Sequence, residues 1–182
     1  MKQFPLIQVG NPKFRTSCAL LSDIEISDNN LLQIVRRMIY TMRKVNGVGL
    51  AAPQIGLQKQ LFVIRQEPTK FRSDLVKIRP YAAINPEIIS YSKDTLADWE
   101  GCFSVAEAGL FAKVQRPLQI SVRYQNLRGM SVERTIKGFE ARVFMHEYDH
   151  LHGKLFFDQK TDLSTIMSAI EYRAMQATMV KF

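Results

Sequence analysis

An α+β fold, with antiparallel strands packed around helices, is what this sequence predicts, and two observations carry the prediction. Residues 118–124 and 130–136 alternate apolar and polar side chains on either side of Asn126-Leu127-Arg128-Gly129, the signature of an antiparallel hairpin. Two or three other stretches place apolar residues at helical spacing. The chain has 182 residues, so one domain over 1–182 is the expectation. Hydrophobic residues make up 46% and charged residues 23%, which excludes a disordered tail, a collagen-like repeat and a disulfide miniprotein.

The elements follow in order. Residues 1–26 read as irregular. Ser27-Asp28-Asn29 offers capping side chains before Leu32, Val35, Ile39 and Met42, so a helix is expected there, closed near Asn46-Gly47 by a left-handed glycine. The segment Gly47-Val48-Gly49-Leu50-Ala51-Ala52-Pro53-Gln54-Ile55-Gly56 is small, apolar and punctuated, so it reads as a loop held close to something. Leu61–Ile64 is a short buried strand, and 66–79 a polar loop. Two strands, 81–84 and 87–91, flank an Asn85-Pro86 turn. Phe139–His152 reads as a helix stopped by Gly153. A last helix begins near Thr161-Asp162, with Leu163, Ile166, Met167, Ile170 and Ala174 as the face that packs on the domain.

Histidine carries the first chemical clue. The chain has three, His146, His150 and His152, all within seven residues. His146-Glu147-Tyr148-Asp149-His150 is H-E-x-x-H. On a helix, positions i and i+4 share a face about 6 Å apart, so both imidazoles can reach one metal ion. Glu147 beside them can serve as general base toward a metal-bound water. Val143, Phe144, Tyr148 and Leu151 make this helix apolar on most sides, and buried polar groups there need partners. A tetrahedral catalytic site wants a third protein ligand. A third histidine at 156 is absent, since that residue is Phe156, and His152 points away from the metal face. Glu171 and Cys102 remain open as candidates, and a thiolate suits zinc or iron. Cys18 reads as a buried small hydrophobe. Glu100 and Arg116 on their own read as solvated surface charges, and Asp149 as an imidazole partner or a surface ion-pair residue.

Three blocks together resemble the peptide deformylases: Gly47 to Gln54, Glu100-Gly101-Cys102-Phe103-Ser104, and His146 to Leu151. Their order and rough spacing agree with that family from the first helix to about Asp158. The resemblance implies a deformylase-like α+β fold whose central helix carries H-E-x-x-H. It implies hydrolysis that releases formate from the initiator formyl-methionine of nascent polypeptides. It places a divalent metal, commonly Fe(II) and often replaced by Zn(II) or Ni(II), on Cys102, His146 and His150. It gives proton handling to Glu147, stabilisation of the formyl oxygen to Gln54 and the backbone N–H of Phe103, and peptide pairing to the backbone around Val48 and Gly49.

Three positions depart from the family pattern. Phe103 stands where Leu is usual, Met145 where Gln is usual, and Ala106-Glu107-Ala108-Gly109 replaces a segment that commonly carries proline. Two other readings are weighed: a zinc endopeptidase with Glu171 as third ligand, and a ribosome- or RNA-binding module. The second is motivated by 25 Lys and Arg against 17 Asp and Glu, a net charge of +8. No basic run exceeds a pair such as Arg36-Arg37, so there is no dedicated nucleic-acid motif, although ribosome contact is compatible with the charge. Two distant cysteines, no membrane-length apolar segment and no long apolar stretch at the N-terminus predict a cytoplasmic protein.

Overall fold

The computed structural model describes residues 1–70 and 72–179. Among these, two antiparallel sheets and a buried helix make up the frame. The strands are β1 (Gly49–Ala51), β2 (Leu61–Gln66), β3 (Ile78–Tyr91), β4 (Thr95–Gly101), β5 (Leu110–Pro117), β6 (Gln119–Gln125), β7 (Ser131–Lys137) and β8 (Thr161–Ser168). The helices are α1 (Asp23–Ser27), α2 (Asn29–Lys44), α3 (Gly138–Leu151) and α4 (Ala169–Met179). One sheet runs β1-β2-β3-β6-β7 and the other β4-β5-β8.

At β2 the larger sheet is covered on both faces. β2 sends Leu61 and Val63 to one side, where Leu31, Val35, Met38 and Met42 of α2 meet them. It sends Phe62 and Ile64 to the other, against Ala141, Phe144 and Leu151 of α3. A strand buried on both faces must be apolar at every position, which is why Leu61–Ile64 reads as an unbroken run. The Phe62 and Phe144 rings meet edge to face at 4.9 Å. This packing fixes α3, and the H-E-x-x-H motif with it, beneath the sheet.

α2 begins as the sequence predicts, with the Asp28 carboxylate accepting from the Asn30 N–H at 2.8 Å. Its close differs by one residue. Asn46, not Gly47, takes the left-handed conformation (φ 55°), and the Gly47 N–H reaches back to the Met42 carbonyl at 2.8 Å. Asparagine tolerates that conformation because its short polar side chain can hydrogen-bond to the nearby backbone. The hairpin at 126–129 and the α3 span agree with expectation, with Gly153 closing α3 at φ 68°.

Other expectations are corrected. Residues 1–26 are not wholly irregular: a 3-10 turn covers Pro12–Arg15, and α1 opens with a Ser22/Glu25 capping box. The segment 47–56 is not all loop, since it holds β1 and a 3-10 turn over Ala52–Ile55. The two strands proposed at 81–84 and 87–91 are one strand, β3, bulged at Asn85-Pro86. Pro86 has no N–H to give the ladder, and Asn85 (φ 48°) bonds both the N–H and the carbonyl of Leu21 at 2.8 Å. β4 and β5 were not expected at all. The last helix starts at Ala169, and 161–168 is the edge strand β8, which leaves Leu163 and Ile166 exposed. Their helical spacing carries no packing, so pairing with β5 decides the conformation.

Gly153 is required twice over. Its φ is positive, and a Cβ there would lie 2.7 Å from the Arg15 carbonyl carbon. Gly153→Ala is expected to lower stability by more than about 1 kcal/mol, read as a shifted urea midpoint with an unchanged slope. A midpoint equal to the parent's would show that the α3 close is not under this constraint.

Candidate metal centre

α3 carries His146, Glu147 and His150 into the space between the sheets, and the turn after β4 brings Cys102 to meet them. One donor atom from each of Cys102, His146 and His150 lies within 4.8 Å of the others. The Cys102 Sγ is 3.3 Å from the His150 Nε2. One thiol and two imidazoles at this separation form a donor set suited to zinc or to Fe(II), so the residues present fit a divalent metal. Burial holds the His150 pKa well below its ordinary value, with the neighbouring His146 adding to the effect. Glu171 is exposed on α4 and stands outside this cluster, whereas Cys102 is part of it.

The ring of His146 is set by a buried charge cluster. Its Nδ1 lies 3.0 Å from the Glu100 Oε2, which leaves Nε2 for the donor set. Glu100 also accepts from the Arg116 Nε and Nη2, each at 2.9 Å, and from the Arg142 Nη1 at 2.7 Å. Arg116 in turn reaches the Asp149 Oδ2 at 2.6 Å. Burial alone would raise the Glu100 pKa, but the hydrogen bonds from His146 and Arg116 outweigh it and hold the carboxyl well below the usual range. Glu100, Arg116 and Asp149 are therefore buried groups, not surface charges. Sequence reasoning missed Arg142. A cation four residues before His146 on an otherwise apolar helix was the available signal.

Glu147 occupies a different environment. It is buried, and its Oε2 has no hydrogen-bond partner among the described residues. Burial raises its pKa to about 7, against the opposing pull of His146. Gly49 makes room for it: a Cβ on Gly49 would lie 2.1 Å from the Glu147 Oε1.

Gln54 is aimed by its neighbours. Its Oε1 accepts from the Ala51 N–H at 2.7 Å, so the amide nitrogen must face the other way. That Nε2 lies 3.5 Å from the Cys102 Sγ and 3.3 Å from the Ser104 Oγ. The N-terminal segment braces both: the Ile7 N–H donates to the Gln54 carbonyl at 2.9 Å, and the Val9 N–H to that of Ser104 at 2.7 Å. Gln8 adds an Nε2 bond to the Phe103 carbonyl at 3.0 Å. The Phe103 N–H has no hydrogen-bond partner among the described residues. Nothing in the sequence around Gln8 marked it. Val48, Gly49, Gln54, Cys102, Phe103 and Glu147 all line one cavity of about 230 Å³.

This arrangement agrees with the comparisons. The polypeptide deformylase family profile matches residues 3–165. This chain belongs to the peptide deformylase family. It is 37% identical over 163 residues to peptide deformylase 2 of Nostoc sp., covering 89% of each chain. It is 43% identical over 132 residues to the enzyme of Thermotoga petrophila, covering 72% of this chain and 73% of that one. The class I type b peptide deformylase of Acinetobacter baumannii, solved with Met-Ala-Ser bound, superposes with a TM-score of 0.82 at 33% identity, covering 87% of this chain and 98% of that one. The Thermotoga maritima deformylase structure gives a TM-score of 0.77 at 37% identity, covering 89% and 100%. The fold is the deformylase α+β fold, and the chain is a metallo-hydrolase of a family that removes the N-formyl group from nascent peptides.

The cluster makes a sharp energetic contrast. Arg116→Met leaves Asp149 buried without its cation and Glu100 with one guanidinium in place of two, and is expected to cost about 3–5 kcal/mol in chemical unfolding. Arg15→Ala, which breaks the exposed ion pair with Asp158, is expected to cost less than about 1 kcal/mol. Similar losses for both would contradict the buried assignment.

Proposed function

We propose that this deformylase hydrolyses the formyl amide of formyl-methionyl nascent peptides with one divalent ion on Cys102, His146 and His150. Fe(II) is the proposed native ion, with Zn(II) or Ni(II) as substitutes. Bound there, such an ion supplies Lewis acidity: it polarises a carbonyl and lowers the pKa of water toward ~7. The single observation that carries the reading is the convergence of these three donors beside Glu147, whose Oε2 has no hydrogen-bond partner among the described residues, with Cys102, His146 and Glu147 lining one cavity.

The chain's own groups divide the work. Glu147, with a carboxyl poised by burial, takes a proton from the attacking water at its Oε and delivers it to the leaving amine. Gln54 Nε2 and the free N–H of Phe103 donate to the formyl oxygen as charge develops on it. Because Ala51 holds the Gln54 carbonyl, this donor is already oriented. β1 is the outer strand of its sheet, so its free edge at Val48 and Gly49 can pair with an extended peptide. The Met-Ala-Ser bound to the Acinetobacter relative supports a peptide of that kind as ligand. The reading treats 1–182 as one catalytic domain acting in the cytoplasm, with the +8 charge compatible with ribosome contact. Among the described residues, no helix is long and apolar enough to cross a membrane.

The test is formate release from a formyl-Met tripeptide by protein prepared without air and loaded with Fe(II), Ni(II) or Zn(II). Glu147→Gln is expected to lower kcat by about 10²–10⁴ while keeping the metal. Gln54→Ala is expected to lower it by about 10²–10³. Cys102→Ala is expected to lose the metal. A parent that binds one equivalent of metal and releases no formate would overturn the reading.

A further inference from the structure

The cavity at the metal centre has an outer wall that the proposed chemistry does not use. Beyond Cys102 and Glu147 it is lined by Arg72, Trp99, Phe111, Phe139 and Tyr172. These come from widely separated segments. Tyr172 lies on α4, outside the residues 3–165 that match the family profile. Arg72 lies in the connection between β2 and β3.

The wall is built, not incidental. The Tyr172 ring stacks on Phe111 with centroids 4.2 Å apart and planes within 11°, and it tilts against Trp99 at 5.5 Å. Phe111 sits opposite Gly101 in the β4–β5 ladder, so the stack rests on the residue just before Cys102. Arg72 is held by Asp98 at 2.8 Å and lies over the Phe139 ring at 4.6 Å. Phe139 opens α3, the helix that carries both histidines. Two outlying segments thus converge on the elements that supply the metal donors.

We propose that Tyr172, with Arg72 beside it, closes the outer end of this cavity and determines which first side chain of the peptide it admits. The proposal rests on the deformylase reading, because it takes the cavity as the seat of the side chain next to the formyl group. Ring faces and a delocalised guanidinium favour an unbranched, polarisable thioether, which can slide between rings and place its sulfur against them. A branched or aromatic side chain would have to displace the Tyr172–Phe111 stack. Specificity then depends on α4, an element remote in sequence from the metal ligands.

The test compares formate release from formyl-Met, formyl-norleucyl and formyl-Phe tripeptides by the metal-loaded parent, Tyr172→Ala, Tyr172→Phe and Arg72→Ala. Tyr172→Ala is expected to raise KM for formyl-Met about tenfold, leave kcat within about twofold, and raise the formyl-Phe to formyl-Met ratio of kcat/KM at least about tenfold. Tyr172→Phe keeps the ring and is expected to match the parent. Arg72→Ala is expected to shift the ratio in the same direction, which keeps the test open if Tyr172→Ala does not fold. Unchanged ratios in both alanine variants would overturn the proposal. Calorimetric binding of unformylated Met and Phe tripeptides to the same proteins separates the two readings. A parent that binds the Met peptide without releasing formate, and loses that preference in Tyr172→Ala, would uphold the pocket and overturn the deformylase reading. A parent with no preference for the Met peptide would overturn the pocket.

Discussion

Burying the Glu100 carboxylate between two guanidinium groups and an imidazole ties the smaller sheet to α3 and sets the angle of the His146 ring. Glu100 belongs to β4, Arg116 to β5, and Arg142 and His146 to α3. Removing one carboxylate from water costs several kcal/mol, and only geometry of this quality offsets it. With Asp149 included, two anions face two cations, so the cluster is balanced without the metal donors. Arg142 extends the tie by donating to the backbone carbonyls of Val114 and Leu96 at 2.8 and 2.6 Å. The turn carrying Cys102 follows Glu100 by two residues, so the same contacts that orient His146 also place the thiol.

The larger sheet supplies the other half of the constraint. α3 is pinned by Phe144 against Phe62, and β1 passes so close to Glu147 that a Cβ at position 49 would displace its side chain. Gln54 follows on the 3-10 turn directly after β1, its amide direction imposed by the Ala51 N–H. The Gln54 amide and the Glu147 carboxylate are therefore both referenced to one short strand. The segment Ile7–Val9 then laces that strand's turn to the one bearing Phe103 and Ser104. Preorganisation of this kind is what electrostatic stabilisation of a transition state requires.

Much of this was legible in the sequence, for physical reasons that also explain the rest. His146 and His150 share a face because helical spacing is local, and a single motif reveals it. Cys102 was not assignable by spacing, since its approach to α3 depends on β4, and resemblance to a family had to supply it. β4 and β5 escaped notice because two of their inward positions are Glu100 and Arg116, where a buried strand should show apolar residues. The charges that make the site thus hid the strands that carry it. β8 misled in the opposite sense: Leu163 and Ile166 fall at helical spacing yet lie on a strand and remain exposed. The bulge at Asn85-Pro86 read as a turn because proline and a left-handed asparagine look alike in both settings. The Phe103 substitution leaves its backbone N–H free, and Met145 packs in the core beneath the sheet, so neither departure removes a group the site uses.

The central claim is that three donors from two distant segments hold one metal, and X-ray absorption at the zinc edge tests it most directly. Zinc-loaded protein is expected to show one sulfur at about 2.3 Å and two imidazole nitrogens at about 2.0–2.1 Å. A spectrum with nitrogen and oxygen scatterers alone would contradict the account, because the Cys102 thiolate would then lie outside the metal's coordination.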